Sequence, residues 1–232
     1  LGSLITHTSF LIIAIGCILG GVYGFKGFVE AEPGRTLALN DVPEIKGRVP
    51  EDLALRVNNF WIDWYDNGTP SQFNSDLTIL QGDREKANRI IKVNQPLGYS
   101  GIKFYQSGYG NAYLVQFSSD SPKAIREGVP AEIPGTDLLI VFYQNQMSGN
   151  SNIPGLIYAV YQCQERVAFG EASPNQQVNI NGTASFVYKE KTWYTRLEVK
   201  KDPGVPVVWI GCGFLLIGLS FGFYGLSKRP AS

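Results

Sequence analysis

Two charge-free apolar stretches, one at each end, constrain this chain more than any other feature. Residues 1–25 and 203–227 contain no Asp, Glu, Lys or Arg. Leu4–Phe25 and Val205–Leu226 are 22 residues each. As α-helix each is roughly 33 Å long at about 1.5 Å per residue, enough to cross a hydrocarbon core of about 30 Å. Lys228 and Arg229 hold two of the 40 charges, and the other 38 fall between Lys26 and Asp202, a density ordinary for a soluble domain. The expectation is a membrane helix over 1–25, a folded domain over 26–202, a second membrane helix over 203–227 and a short cytoplasmic tail at 228–232. This excludes a simple globular enzyme and a polytopic transporter. Twenty Lys and Arg against twenty Asp and Glu argue against nucleic acid as a partner.

A cleaved signal peptide in place of the first helix would need a basic leading segment and a small-residue cleavage site, and neither is seen. The chain begins at Leu1 rather than Met, so further sequence upstream is expected. Two crossings return the chain to the side it left. Lys228 and Arg229, directly after the second helix, favour a cytoplasmic tail and hence an extracytoplasmic domain. Lys200 and Lys201 pull the other way, but a domain of this size translocates largely regardless of charge. Cys17 and Cys212 lie in the helices and Cys163 is alone in the domain, which leaves no intradomain disulfide and no CxxC.

Gly16, Gly20 and Gly24 form a double GxxxG stripe on the first helix. On the second, Gly211, Gly218, Gly222 and Gly225 fall within roughly 60° of one another at about 100° per residue. Lipid gives helices little hydrophobic reason to associate, so close approach across small residues is the expected glue. The sequence leaves open whether these faces meet each other or another protein. His7 is the chain's one histidine. It precedes Phe25 by roughly 27 Å of helix, near the membrane face opposite the domain, and points about 180° away from Gly16. An ionisable group inside a span usually faces a bundle interior, a cavity or a cofactor. The readings are an interfacial imidazole bonded to a headgroup or to Ser3, a proton relay, or a haem-iron ligand.

The middle of the chain reads as β. Apolar alternation with aromatic and β-branched enrichment marks strands at 53–65, 72–80, 86–94, 101–107, 111–118, 137–146, 156–165, 176–189 and 193–201. Asn67-Gly68, Gly82-Asp83, Gly108–Gly110 and Asn181-Gly182 supply turns, and the two Asn-Gly pairs are expected as type I′ hairpins. The expected fold is mainly β, an antiparallel sandwich or open barrel flanked by two transmembrane helices. Asp63, Asp66 and Asp76 read as turn and strand-edge groups rather than an acid–base set. Phe60, Trp61, Trp64, Tyr65, Phe104, Tyr105 and Tyr109 either fill the core or line a surface for a flat apolar ligand. The domain offers no histidine-based triad and no phosphate loop.

Phe60–Leu77 (FWIDWYDNGTPSQFNSDL), Val93–Gly110 (VNQPLGYSGIKFYQSGYG) and Asp202–Gly213 (DPGVPVVWIGCG) together resemble the ResB (CcsB) family of cytochrome c biogenesis proteins. Asn94, Pro96, Gly101, Tyr105 and Gln106 carry the middle motif, and Asp202, Pro203 and Gly204 the last. The resemblance implies a non-catalytic subunit of the System II cytochrome c synthetase. With a polytopic CcsA/ResC-type partner, that complex exports haem b and presents it to apocytochrome c, which a thiol-reducing oxidoreductase of the same pathway keeps ready. It also implies that His7 is one axial ligand to haem iron, the second coming from the partner. Plasma or thylakoid-type membranes are the implied location. The tryptophan-rich haem motif of this system is absent here, as expected if it belongs to the partner.

A different class stays open: a membrane-tethered protein-binding or sensor ectodomain without a haem role. A hydrolase would need acid–base residues that this domain does not assemble. Asp202-Pro203-Gly204 makes a rigid turn before the membrane, with Pro206 tolerated in the first helical turn and Trp209 near the interface it prefers.

Overall fold

The computed structural model describes residues 1–43, 45, 49–118, 121–145 and 155–227, with side-chain surroundings up to residue 223. The expected tail lies outside them, as does residue 146 at the end of one expected strand. Helix α1 spans Gly2–Tyr23 and α2 spans Val205–Ser227, each long and apolar enough to cross a membrane. Between them come β1 (Phe25–Ala31), β2 (Thr36–Ala38), β3 (Leu53–Trp64), β4 (Pro70–Gln81), β5 (Arg84–Lys92), β6 (Leu97–Tyr99) and β7 (Ile102–Phe117). The chain continues with β8 (Lys123–Arg126), β9 (Ala131–Glu132), β10 (Leu139–Gln144), β11 (Leu156–Gln162), β12 (Glu165–Ala172), β13 (Gln177–Ile180) and β14 (Ala184–Lys201). One 3₁₀ turn, Leu39–Asp41, interrupts the β structure.

The domain is built on one long ribbon. β7 (16 residues) and β14 (18 residues) pair antiparallel from Phe117↔Phe186 to Ile102↔Lys201. β1 and β13 add to β14, and β6 and β8 to β7. A sheet of order β2-β3-β4-β5 packs on the ribbon end next to the helices, and one of order β12-β11-β10-β9 on the far end. Two sandwiches therefore share the ribbon, each with its own core. The near core holds Phe25, Val29, Leu55, Ile79, Phe104 and Leu197. The far core holds Tyr113, Phe142, Tyr158, Phe186 and Tyr188.

Strand side chains alternate between faces, so a ribbon serving two cores needs its parity managed. On β7 the large buried side chains are Ile102 and Phe104 near the helices, then Tyr113, Val115 and Phe117 beyond, with the small Ala112 buried on the other face. On β14 they are Thr195, Leu197 and Val199, then Phe186 and Tyr188. Even numbers give way to odd on both strands. Register shifts between Tyr188 and Glu190 and between Arg196 and Leu197 leave Lys189 and Ser107 unpaired. Each bulge adds one residue, so both ends of the ribbon keep their apolar side chains inward.

The continuity of β7 and β14 corrects two expected breaks. Gly108–Gly110 is strand rather than turn. A Cβ at Gly110 would run into the ring of Tyr194 on the paired strand, so glycine there admits a cross-strand aromatic. Segments 176–189 and 193–201 are instead β13, a turn, and the single strand β14. Asn181-Gly182 has φ of 48° and 73°, the type I′ geometry. At Asn67-Gly68, by contrast, only Gly68 takes a positive φ, 80°, and Tyr65 N–H bonds Thr69 O at 2.8 Å to close a longer loop. The expected strands also omitted β1, β2, β6, β8, β9 and β12. β12 is reached through Cys163-Gln164, whose φ of 48° and 71° are taken without the residues that advertise such a turn.

Two polar clusters brace the ribbon, one across the halves and one within the near half. Arg126 of β8 reaches Glu30 of β1 at 2.9 Å and Glu32 at 2.8 Å, and Arg35 holds Glu32 at 3.0 Å. Glu32 is buried and is held by both arginines, so its charge stays compensated unless both are removed. Where the near sheet meets the ribbon, Gln106 Oε1 accepts from Ser75 Oγ at 2.6 Å and Thr195 Oγ1 at 3.1 Å.

In the far core, Phe186 packs edge-on to Phe142 at 5.5 Å and Tyr158 at 5.2 Å between ring centres. We expect Phe186→Ala to lower unfolding free energy by about 3–5 kcal/mol, the usual cost of deleting a buried aromatic. Phe169→Ala, at a ring 60% exposed, should stay close to wild type. Urea denaturation of the detergent-solubilised chain, followed by tryptophan fluorescence, checks both.

Candidate functional site

The residues singled out by the sequence gather in two places: along the helix pair, and where that pair joins the sheet. The helix seam has a seven-residue period. Gly2, Ser9 and Gly16 are the buried residues of α1. Facing them, Gly204, Gly211 and Gly218 are buried at the entry to α2 and along it. A Cβ at Gly211 would lie 2.6 Å from Ile13 Cγ1 and 3.0 Å from its backbone N. At Gly218 it would lie 2.6 Å from Thr6 Oγ1, and at Gly16 2.7 Å from Val208 Cγ2. A seven-residue repeat of small side chains lets two helices stay close along their length. The hydroxyls on the seam are satisfied locally: Thr6 Oγ1 donates to Gly2 O at 3.0 Å and Ser9 Oγ to Thr6 O at 2.6 Å.

The individual glycines divide. Gly16 and Gly20 face the start of α2, with a Cβ at Gly20 falling 2.7 Å from Asp202 Oδ1. Gly24 lies just outside α1, at its C-cap, where a side chain would meet Gly20 O and Lys201 O. It belongs to the helix-to-strand joint and not to the seam. Gly211 and Gly218 are on the seam. Gly222 meets Gly2 through its backbone while its own Cβ direction is open. Gly225 is in the last turn of α2, beyond the described side-chain surroundings. Gly2, Thr6, Ser9 and Ile13 add to the expected seam; the seven-residue recurrence Gly2-Ser9-Gly16 marks it in the sequence, where the four-residue GxxxG spacing does not.

His7 stands off this seam. It is exposed on α1 and forms one side of a shallow apolar groove of about 260 Å³ with Ser3, Thr6, Gly218, Leu219, Gly222 and Phe223. Its Nδ1 lies 2.7 Å from Ser3 O and 3.5 Å from Ser3 Oγ. A carbonyl oxygen only accepts, so Nδ1 carries the proton and donates. The Nε2 lone pair is then free, with the ring fixed by its bond one helical turn back. This is how a metal-ligating imidazole is commonly held.

The middle motif forms the hairpin and clamp at the near end of the ribbon. Asn94 takes φ of 64° in the turn after β5, ahead of Pro96 and β6. Ser100 and Gly101, with φ of 50° and 77°, make the two-residue turn between β6 and β7. Gln106 is the clamp to Ser75 and Thr195. Gly101, Tyr105, Asp202 and Pro203 line one cleft of about 410 Å³ with Lys103, Lys200, Lys201, Val205 and Pro206. Asp202 Oδ1 accepts from Gly204 N–H at 3.2 Å, and a Cβ at Gly204 would strike Gly16 O. The Asp-Pro-Gly turn is thus the place where α2 begins by crossing α1 at backbone contact.

The three aspartates do not converge on one another. Asp63 Oδ2 accepts from Asn74 at 2.8 Å, and Asp76 Oδ1 from Asn58 and Asn88 at 3.2 Å each. Among the described residues no group of three or more His, Cys, Asp or Glu could hold a metal. Phe104 is core; Tyr109 packs on Phe73 at 4.9 Å, and Trp64 and Tyr65 are exposed. Burial pushes the phenols of Tyr113, Tyr188 and Tyr194 above their ordinary range, aided by Glu127, Glu190 and Glu30 respectively. These rings stay neutral and serve packing.

The sequence profile of the ResB-like family matches residues 1–188 and 136–229. The chain belongs to the ResB-like family. It is 30% identical over 243 residues to the "Cytochrome c biogenesis protein CcsB" of Crocosphaera subtropica, covering 98% of this chain and 53% of that protein. To the "Cytochrome c biogenesis protein CCS1, chloroplastic" of Oryza sativa subsp. japonica it is 30% identical over 228 residues, covering 91% and 40%. To the CcsB of Synechococcus sp. (strain JA-3-3Ab) it is 28% identical over 250 residues, covering 98% and 51%. This ResB-like chain spans about half the length of the curated relatives it matches.

The seam sets up a controlled comparison. Gly211→Val should destabilise the detergent-solubilised chain by about 1–3 kcal/mol through overpacking. Gly213→Val, two residues away where a Cβ meets nothing within 4 Å, should leave the thermal midpoint unchanged.

Proposed function

We propose that this chain is the ResB/CcsB-type subunit of a System II cytochrome c synthetase. In this reading α1 and α2 cross the membrane, the β domain stands on the extracytoplasmic side, and the chain is not itself the catalyst. Haem b is its cargo, passed across the membrane with a CcsA/ResC-type partner and presented for attachment to apocytochrome c. Relatives named for cytochrome c biogenesis along almost the whole chain support the pathway. The single observation that supports the cargo is His7: an imidazole with Nδ1 donating to Ser3 O, Nε2 open, on the exposed face of an apolar helix.

The residues present fit a porphyrin on one side. His7 can give iron one nitrogen, and Leu219 and Phe223 supply apolar surface beside it. The described residues of this chain contain no second histidine, so the other axial ligand falls to the partner. Such a shared, one-nitrogen hold suits a group that must be released. Haem iron, when bound, contributes the visible absorption by which occupancy is read.

The test is absorption of the complex purified after coexpression with the polytopic partner. His7→Ala should lose most of the Soret absorbance at unchanged recovery of both subunits, and added imidazole should restore it by refilling the vacated ligand position. Equal haem content in His7→Ala would remove this residue from haem handling.

A further inference from the structure

The foot of the ribbon carries a row of lysines that ordinary sheet energetics disfavours. Lys200 of β14 is directly opposite Lys26 of β1 on one side and Lys103 of β7 on the other. Residues directly opposite on neighbouring strands have Cβ atoms about 4.5–5.5 Å apart, and like charges so placed destabilise the pairing. Carboxylates answer only part of this charge. Lys26 Nζ is 3.1 Å from Glu198 and Lys200 Nζ is 3.6 Å from Asp202. Lys103 and Lys201 have no ion-pair partner among the described residues. The four lysines and two carboxylates leave the foot with net positive charge.

Below the row, the cleft lined by Lys103, Tyr105, Lys200 and Lys201 has Val205 and Pro206 on its other side, in the first turn of α2. Its lining carries three lysines against one carboxylate, Asp202, which is held by Lys200 and by the Gly204 N–H. It is therefore cationic toward the sheet and apolar toward the helix. Its height is fixed by the chain: Lys26 lies three residues beyond the end of α1, and Lys200 five residues before the start of α2. Trp209, 72% exposed, follows one turn further along α2. This sequence of lysine, tyrosine, apolar turn and exposed tryptophan is that of a membrane–water boundary.

We propose that the foot of the ribbon binds the phosphate headgroup of an anionic phospholipid. The phosphate sits among Lys103, Lys200, Lys201 and the Tyr105 hydroxyl, with Lys26 extending the cationic row, and the acyl chains run beside Val205, Pro206 and Trp209. The lipid belongs to the leaflet on the domain side. The site rests on the reading of α1 and α2 as membrane-spanning and is independent of haem. It accounts for the lysine row as charge held for a ligand rather than for the fold. Each lysine near an anionic surface contributes about 1 kcal/mol, or about fivefold in affinity.

The experiment uses the detergent-solubilised full chain with three additions: phosphatidylglycerol, phosphatidylcholine and inorganic phosphate. Phosphatidylglycerol should raise the thermal midpoint, with a shift that shrinks on adding salt, while phosphatidylcholine and inorganic phosphate should leave it in place. K26Q/K103Q/K200Q should lose the shift and bind the anionic lipid roughly 100-fold more weakly. Without lipid it should melt close to the wild-type temperature, the relieved lysine–lysine repulsion offsetting the two solvent-accessible ion pairs lost. The single variant Lys103→Gln, which breaks no ion pair, should weaken binding by about fivefold. An equal phosphatidylglycerol shift in the triple variant, or an equal shift with phosphatidylcholine, overturns the site. A shift with inorganic phosphate alone overturns the lipid assignment. His7→Ala should retain the lipid shift, so failure of the haem reading and of this one are distinguishable.

Discussion

The structure depends on one close approach: the backbone of Gly204 against that of Gly16, with Asp202 wedged on Gly20. Neither position has room for a side chain. This contact is also where two kinds of pairing become continuous. α1 ends at Tyr23 and β1 starts at Phe25, with Gly24 alone between them, its N–H still bonded to Gly20 O at 2.9 Å. On the return, β14 ends at Lys201 and α2 starts at Val205, with Asp202-Pro203-Gly204 between. Phe25 pairs with Lys201 at once. The helix pair and the strand pair are therefore one antiparallel two-stranded device that changes secondary structure almost without a linker. Proline and a side-chain-capped turn at this joint remove the freedom a linker would have.

That continuity carries into the domain through β14. The strand that meets the helices at Lys201 fills both cores, as does its partner β7, with Leu197 and Val199 in the near one and Tyr188 and Phe186 in the far one. The bulges at Ser107 of β7 and Lys189 of β14 let each strand serve both without turning its apolar face outward. The Arg126–Glu30–Glu32 cluster then braces the far half against β1, the strand attached to α1. Tilting the far sandwich would mean bending the ribbon and breaking that brace together. A domain so held keeps a fixed orientation on its two helices.

The sequence carried the architecture in its charge distribution, since removing every charge from residues 1–25 and 203–227 leaves few alternatives to two apolar helices. Alternation marked the strands whose two faces differ, as in Leu53–Trp64, with buried residues at every second position through Val57. It failed where a strand holds glycine for a reason other than turning, as at Gly110 beneath the Tyr194 ring. It also failed where a turn is made by residues that do not favour it, as at Cys163-Gln164. β1 went unseen because FKGFVEA follows the apolar helix without punctuation. At the site, His7 was legible because an imidazole in an apolar span stands out. The lysine row was not, since Lys26, Lys103 and Lys200 are far apart in sequence and only the register β1–β14–β7 makes them neighbours.

On the proposed reading, the two chemically distinctive places lie at opposite ends of the same helix pair. His7 lies near the start of α1, beside Gly218 and Gly222 late in α2; the lysine row lies where both helices meet the sheet. A rigid pair has little means of carrying a ligand from one end to the other. Its seam is closed by glycine and serine at every seventh position, leaving no passage between the two helices for a porphyrin. On the haem-cargo reading proposed above, a porphyrin that reaches His7 would travel along the outside of the pair, where a one-nitrogen hold faces outward. On the same reading the pair is a fixed wall, set in angle by the Asp-Pro-Gly joint, against which the proposed polytopic partner would complete the path.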